Sequence, residues 1–295
     1  MTPKAMPWMR RLTISAALVI LAGSTAVAVP ALADDATKVP QNDLLDATLW
    51  MQRSVEYKAT TIGIYDLAKL RLDEALADKT WTAVPDKQGE NFGDKPPAII
   101  LDADETVLDN NPYEASLVTR DADFKPKEWT AYVKDEVTKA IPGAVDFTKY
   151  AESKGVKVFY VSNRTNEEKP ATVENMKKLG FPMGGNVDTF LAMGQKPDWK
   201  SGKESRIAYV AKDYRVLLLF GDNLGDFTDQ YKGNMDERDK VFEADMKHWG
   251  HDWIMLPNPE YGSWESSAFG GNYKLSPDAR RKMKIEALQP WKPKE

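Results

Sequence analysis

The sequence predicts an α/β fold: a doubly wound parallel sheet with a mainly helical N-terminal segment. Three observations carry that prediction. Four short apolar, largely β-branched runs, Ala98 to Leu101, Val156 to Val161, Val216 to Phe220 and Trp253 to Leu256, have the length and continuity of strands covered on both faces. The stretches between them carry helix signals, with capping-box spacing at Thr165-x-x-Glu168 and Ser201-x-x-Glu204. Gly155 and Gly180 fall where a helix would end before a strand or turn. Strands alternating with helices build a parallel sheet, and reactive groups in such a sheet gather at the carboxyl ends of its strands.

The elements follow in order from the N-terminus. Lys4, Arg10 and Arg11 precede the uncharged apolar stretch Leu12 to Val29, and Ala31-Leu32-Ala33 comes before Asp34. That order predicts a secretory signal peptide over 1–33; an N-terminal membrane anchor is the alternative, because the run is near the lower limit for spanning. No later segment is apolar enough to span. The remainder, 34–295, reads as one catalytic unit. Leu44 to Leu76 has apolar residues at helical spacing and no proline, so about 42–78 is one or two helices. Lys79 to Pro97 is a loop with three prolines, and the α/β core begins at about 96. There is no internal repeat.

Charge and cysteine content narrow the function. The formal charge of −5 becomes −8 when Lys4, Arg10 and Arg11 leave with the leader. An acidic surface argues against a nucleic-acid polymer as partner, but a small phosphorylated ligand needs only local cations. With no cysteine there is neither a disulfide nor a lipidated thiol, so no stable membrane anchor is expected after cleavage. A periplasmic or secreted protein is the reading that fits.

The chemistry-bearing signal is Ile99-Ile100-Leu101-Asp102-Ala103-Asp104-Glu105-Thr106, two carboxylates one residue apart at a strand end. A bare Asp-x-Asp more often caps a helix or solvates a turn, so the partners matter. Tyr160-Val161-Ser162-Asn163-Arg164 sets a hydroxyl and backbone amides after a second strand, and Gly221-Asp222-Asn223-Leu224-Gly225-Asp226 sets two more carboxylates after a third. Lys203 lies between them, opening a helix. Four such elements in this order form a site that single occurrences would not.

With these residues in place, the chain resembles the haloacid dehalogenase superfamily and, within it, the bacterial class C acid phosphatases of the lipoprotein e nucleotidase type. The flanking segments Trp50-Met51-Gln52-Arg53-Ser54-Val55-Glu56-Tyr57, Leu108-Asp109-Asn110-Asn111-Pro112-Tyr113, Ile141-Pro142-Gly143-Ala144, Met255-Leu256-Pro257-Asn258 and Tyr261-Gly262-Ser263-Trp264-Glu265 carry the class C likeness. The lipoprotein members have a cysteine that this chain lacks. The resemblance implies a haloacid dehalogenase-like fold and acid phosphatase and 5′-nucleotidase activity on small phosphomonoesters such as nucleoside monophosphates. It also implies a homodimer, and Mg²⁺ held by Asp102, the Asp104 carbonyl and Asp222. Asp102 becomes the nucleophile and Asp104 the general acid and base. Thr106, Ser162, the Asn163 amide and Lys203 become phosphate contacts, and Asp226 a supporting group behind Lys203 or a metal water.

In superfamily members an insertion like the one at about 110–143 forms a cap. Trp129 and Tyr261 match class C positions whose rings flank the substrate's base, whereas Tyr132 and Trp264 are expected to pack. Rival readings remain. Cysteine phosphatases lack their thiolate here, and His248 and His251, the only histidines, read as surface or packing residues and are too few for a zinc cluster. A receiver-type protein fits poorly with export and Asp104. A non-catalytic exported surface-binding protein, with the carboxylates around a structural cation, is the alternative.

Overall fold

The computed structural model describes residues 42–293, so the leader expected over 1–33 lies outside the described residues. Two helices come first, α1 (Leu45–Arg53) and α2 (Val55–Ala77). Ser54 divides them: its extended backbone breaks the helix, and its side chain accepts from the Tyr57 amide at 3.0 Å to start the next. Tyr57, Thr61, Tyr65, Ala68, Leu72 and Ala75 repeat at three- and four-residue steps and form the buried face of α2.

Seven strands follow. They are β1 (Pro97–Leu101), β2 (Leu108–Asp109), β3 (Lys139–Ala140), β4 (Lys157–Thr165), β5 (Phe190–Met193), β6 (Arg215–Gly221) and β7 (Trp253–Met255). Five of them make one parallel sheet in the order β5-β4-β1-β6-β7. The chain builds outward from β1 on one side and returns to build on the other, so the strand order reverses at β1 and a crevice opens beyond its carboxyl end. Four of these strands are those the sequence predicts; β5, at the edge beside β4, is an addition.

The helices cover both faces. Between the strands lie α5 (Ala144–Ser153), α6 (Lys169–Leu179) and α7 (Glu204–Asp213). Ile99 and Leu101 pack with Tyr65, Phe147 and Met176 on one side, while Ala98 and Ile100 pack with Ile207 and Val210 on the other. Alternate residues of β1 thus bury into opposite layers, which is why its run is apolar without a break. Gly180 ends α6 with a left-handed φ of 89°, as predicted.

The stretch between β2 and β3 holds α3 (Asn111–Arg120) and α4 (Pro126–Lys134), and β2 and β3 pair antiparallel at its base. After β6 come α8 (Met235–Ala244), then α9 (Ser263–Ser267) and α10 (Pro277–Glu286) beyond β7. Among the described residues no helix is long and apolar enough to cross a membrane.

One predicted pair of reciprocal bonds forms, in the turn that leads into α6, and the other does not. Thr165 and Glu168 bond reciprocally, amide to carboxylate at 2.8 Å and amide to hydroxyl at 3.3 Å. Ser201 caps nothing; the carboxylate of Asp229, distant in sequence, accepts from the Lys203 amide at 2.9 Å and starts α7 in its place. A Cβ on Gly202 would fall 2.4 Å from that carboxylate, so the substitute cap depends on the glycine.

Gly143, which leads into α5, has a φ of 91°, and a Cβ there would meet the Tyr65 ring at 3.0 Å and the Ile62 backbone at 3.3 Å. Gly143→Ala is expected to destabilise the fold by about 1–3 kcal/mol, read as a lowered Tm. An unchanged Tm would mean that α2 and this turn are not packed as described.

Candidate active site

Asp102 stands one residue past β1, its amide donating to the Phe220 carbonyl at 3.0 Å, so neighbouring strands β1 and β6 fix the start of the loop. Asp222 follows β6 directly. Carboxylate oxygens of Asp102, Asp222 and Asp226 all lie within 4.8 Å of one another. Lys203 is the cation among them, with its ammonium 2.5 Å from Asp102 Oδ1 and 2.7 Å from Asp226 Oδ1. Burial pushes the Asp102 carboxyl up to about 7, with Lys203 opposing and Asp226 and Asp104 adding to the rise. Burial, then Asp226 and Asp102, hold Asp222 well above the usual carboxylate range. Burial opposes the charge on Lys203, but Asp102 and Asp226 outweigh it and raise its affinity for the proton. Three acids and one lysine leave two negative charges uncompensated, which suits a divalent cation with all-oxygen ligands.

One small residue makes this convergence possible. A Cβ on Gly221 would fall 2.2 Å from the Asp226 side chain, so only glycine lets β6 pass so close. Asp226 is held in return by the Asn223 amide at 2.8 Å. Asp222 accepts from the Thr106 hydroxyl at 3.1 Å and from Asn258 Nδ2 at 2.9 Å. Thr106 is fully buried, and its hydroxyl is committed to Asp222 while its carbonyl accepts from Tyr65 Oη at 2.6 Å. Sequence reading made Thr106 a phosphate contact; in the structure its hydroxyl bonds Asp222.

Asp104 lies in a cage of donors. Arg164 Nε and Nη2 reach its Oδ1 at 2.9 and 2.7 Å, and Asn110 Nδ2 reaches the same oxygen at 2.8 Å. All three donors reach the one oxygen, Oδ1. Arg164 is buried and bonds also to Thr172 Oγ1 and Asn110 Oδ1. Glu105 adopts a left-handed φ of 51° and is bonded by the Asn110 amide, Asn110 Nδ2 and the Tyr261 hydroxyl. A non-glycine residue in this conformation needs such bonds to persist.

Ser162 is buried, and its hydroxyl accepts from the Arg164 amide at 3.0 Å. The Asn163 side chain is occupied elsewhere: Oδ1 takes a bond from Arg206 at 2.7 Å and Nδ2 gives one to the Ser201 carbonyl at 3.0 Å. Buried Arg206 also donates to the carbonyls of Ser162 at 2.5 Å and Lys200 at 2.8 Å, joining the loop after β4 to the approach to α7. The sequence reading assigned no role to Arg164, Asn110, Glu105, Asn258 or Arg206. All but Arg206 stand in the motifs already quoted, and unpaired polar residues next to the two aspartates were the signal available.

Trp129 is half-buried, with the Arg164 guanidinium 5.3 Å from its ring on one face and Tyr113 edge-on at 5.2 Å. Trp129 and Tyr261 are therefore linked through Arg164, Asn110 and Glu105. Tyr132 packs against Tyr113 at 5.4 Å, as expected. Trp264 does not: it is 40% exposed beside a groove of about 830 Å³ that also touches Asp222 and Met255. His248 stacks on Trp253 and His251 on Trp81, so both histidines are packing residues.

The comparisons agree with this geometry. Residues 13–264 match the family model for HAD superfamily, subfamily IIIB (Acid phosphatase). A class C acid phosphatase from Bacillus anthracis is similar at 35% identity, covering 84% of this chain and 98% of that one with a TM-score of 0.73; the same enzyme with tungstate bound gives 36% and 0.74. Acid phosphatase 1 from Solanum lycopersicum is 26% identical over 131 residues, and the chain spans half the length of that relative. This chain belongs to the HAD superfamily, subfamily IIIB, an acid phosphatase family of phosphomonoester hydrolases.

Proposed function

We propose that the chain is an exported, magnesium-dependent acid phosphatase that hydrolyses phosphate monoesters, nucleoside 5′-monophosphates among them, through a phospho-aspartate on Asp102. The observation that carries this reading is the group of Asp102, Asp222 and Asp226, partly open to solvent at the first two, facing one buried lysine at the end of the central strand. Asp102 and Asp222 would hold the ion with the Asp104 carbonyl, and Asp226 is near enough to join them or to hold Lys203. Bound there, magnesium supplies the positive charge that lets a carboxylate approach a phosphate dianion.

The chain's own residues supply the rest. One Asp102 oxygen attacks phosphorus, and the bond to the leaving alkoxide breaks as Asp104 gives that oxygen its proton. Asp104 then removes a proton from water, whose oxygen attacks phosphorus, and phosphate leaves as the Asp102 carboxylate re-forms. Lys203, the Ser162 hydroxyl and the Asn163 amide would hold phosphate oxygens. The B. anthracis relative carries tungstate, a tetrahedral oxyanion like phosphate, which supports an oxyanion site in this family. Export rests on the leader pattern, and a dimer on the family likeness alone. A non-catalytic cation binder is the weaker reading, because it gives no reason to hold Asp104 by three donors beside the cluster.

Chelation is expected to abolish release of phosphate from an aryl phosphate, and added magnesium to restore it. Asp102→Asn should cost roughly a thousandfold or more in kcat. Turnover by protein shown by metal analysis to be ion-free would overturn the metal requirement, and retained turnover by the variant would overturn the covalent step.

Arg164→Ala is expected to lower kcat by about a hundredfold, because Asp104 loses two of its three donors. Magnesium affinity, measured by calorimetry, should stay close to wild type. A loss of affinity equal to the loss of kcat would show that Arg164 supports the ion site and not the acid.

Trp129 is half-buried among Arg164, Tyr113, Phe124 and Tyr132, and its exposed part is where a base would stack. Trp129→Ala and Tyr261→Ala should each reduce kcat/KM for nucleoside 5′-monophosphates by roughly tenfold or more, with little effect on small alkyl phosphates. Equal losses on both substrate classes would mean that the rings serve the fold, and nucleotides would cease to be the favoured class.

A further inference from the structure

A second group of buried acids lies outside this chemistry, where α1, α3 and residues 257–262 meet. Glu260 is 2% exposed, and neither of its carboxylate oxygens makes a hydrogen bond. Glu114 of α3 is 5% exposed and feels the field of Glu260 and of Glu265 on α9, the latter paired with Lys284. The Thr48 hydroxyl of α1 and Asp109 of β2 face Glu260, and Tyr57 of α2 faces Asp109 and Glu105. Asn111 bonds Asp109 through its amide and Nδ2, which leaves its own buried Oδ1 without a donor. No lysine or arginine is among the charges acting on either glutamate.

A buried carboxylate with no cation and few donors is far less costly as the neutral acid. In that form it can also donate, which suits a junction rich in acceptors. The position gives the proton a consequence. Glu260 lies between Asn258, which bonds Asp222, and Tyr261, which bonds Glu105; its own amide and that of Tyr261 both donate to Asn258 Oδ1, at 2.9 and 3.4 Å.

We propose that Glu260 is a positioning residue that acts as the neutral acid: protonated, it stays buried against α1 and α3 and keeps Asn258 and Tyr261 on the site, and ionised, it leaves and releases both. The sign follows from burial, which pushes Glu260 up to about 7 and, with Glu260 and Glu265 adding, Glu114 up to about 8. Both values lie above those of an unfolded chain. The stabilisation is therefore complete below the ordinary carboxylate range and is lost as pH rises through about 7 to 8. The device thus favours acid pH independently of Asp104.

Glu260→Gln keeps the neutral shape and cannot ionise. Its Tm should exceed that of wild type by several degrees at about pH 8, with the gap closing below about pH 4.5. With an aryl phosphate as substrate it should keep the acid-limb kcat/KM that Glu260→Ala loses, and its alkaline limb should move up by about one pH unit. Parallel Tm curves for Glu260→Gln and wild type would overturn the proposal, as would a Gln variant no more active than the Ala variant at every pH. Should Glu260→Gln fail to fold, Glu114→Gln reads the same pair: its Tm should also gain on wild type above about pH 7, and a parallel curve counts against the proposal. The activity arm alone rests on the phosphatase reading; an inactive wild-type protein would sink that reading and leave the Tm comparison to decide this one.

Discussion

The structure depends on one electrostatic constraint, that three carboxylates are gathered in a buried space with one lysine to face them. Like charges at such short range repel strongly where water is excluded, so the arrangement stands only if the scaffold fixes every member. They come from three edges of the crevice: Asp102 from β1, Asp222 and Asp226 from the turn after β6, Lys203 from the start of α7. The parallel sheet is the means of bringing them together, since adjacent strands hold Asp102 and Asp222 side by side. The apolar layers on both sheet faces stabilise what the site destabilises. The long bonds that look incidental, Tyr65 to the Thr106 carbonyl and Asp229 to the Lys203 amide, fix the loops bearing these groups against their mutual repulsion.

How much of this was legible in the sequence depends on whether the determinant is local. Strands β1, β4 and β6 could be read because burial on two faces demands a largely apolar run, and β7 because its short run is apolar too. Strand β5, Phe190–Met193, contains no β-branched residue, so its equally short run does not read as a strand. The reciprocal bonds of Thr165 and Glu168 could be read because both partners lie within one turn. The start of α7 could not, because its cap, Asp229, arrives from the far side of β6 and displaces the nearby serine. Asp102, Asp104, Asp222 and Lys203 could be read as a set because each follows a strand or opens a helix. The bond from the Thr106 hydroxyl to Asp222 could not be read, because the turn that directs it includes a left-handed Glu105, which no propensity favours.

Acidic residues are hardest to place from sequence, since most are solvated and a buried one looks the same in the chain. Glu114 and Glu260 sit in segments whose neighbours, Tyr113 and Tyr261, draw attention by being aromatic. Only packing shows that Glu114 is as buried as Tyr113, that Glu260 is the buried member of its pair, and that among the described residues no cation faces either glutamate.

The two buried acidic groups solve one problem in different ways, and geometry selects the solution. At Asp102, Asp222 and Asp226 three oxygens converge within the span of a single ion, with a lysine partly compensating. A compact multivalent cation is then the cheapest counter-charge, because several ligands share it. At Glu260 and Glu114 the described residues bring no third acidic ligand into comparable range, and a cation there would lose its water for too few oxygens. A proton needs only one acceptor and removes the charge outright. Residues 257–262 touch both groups, contributing Asn258 to the first and Glu260 to the second, and so connect a site suited to an ion with a junction suited to a proton.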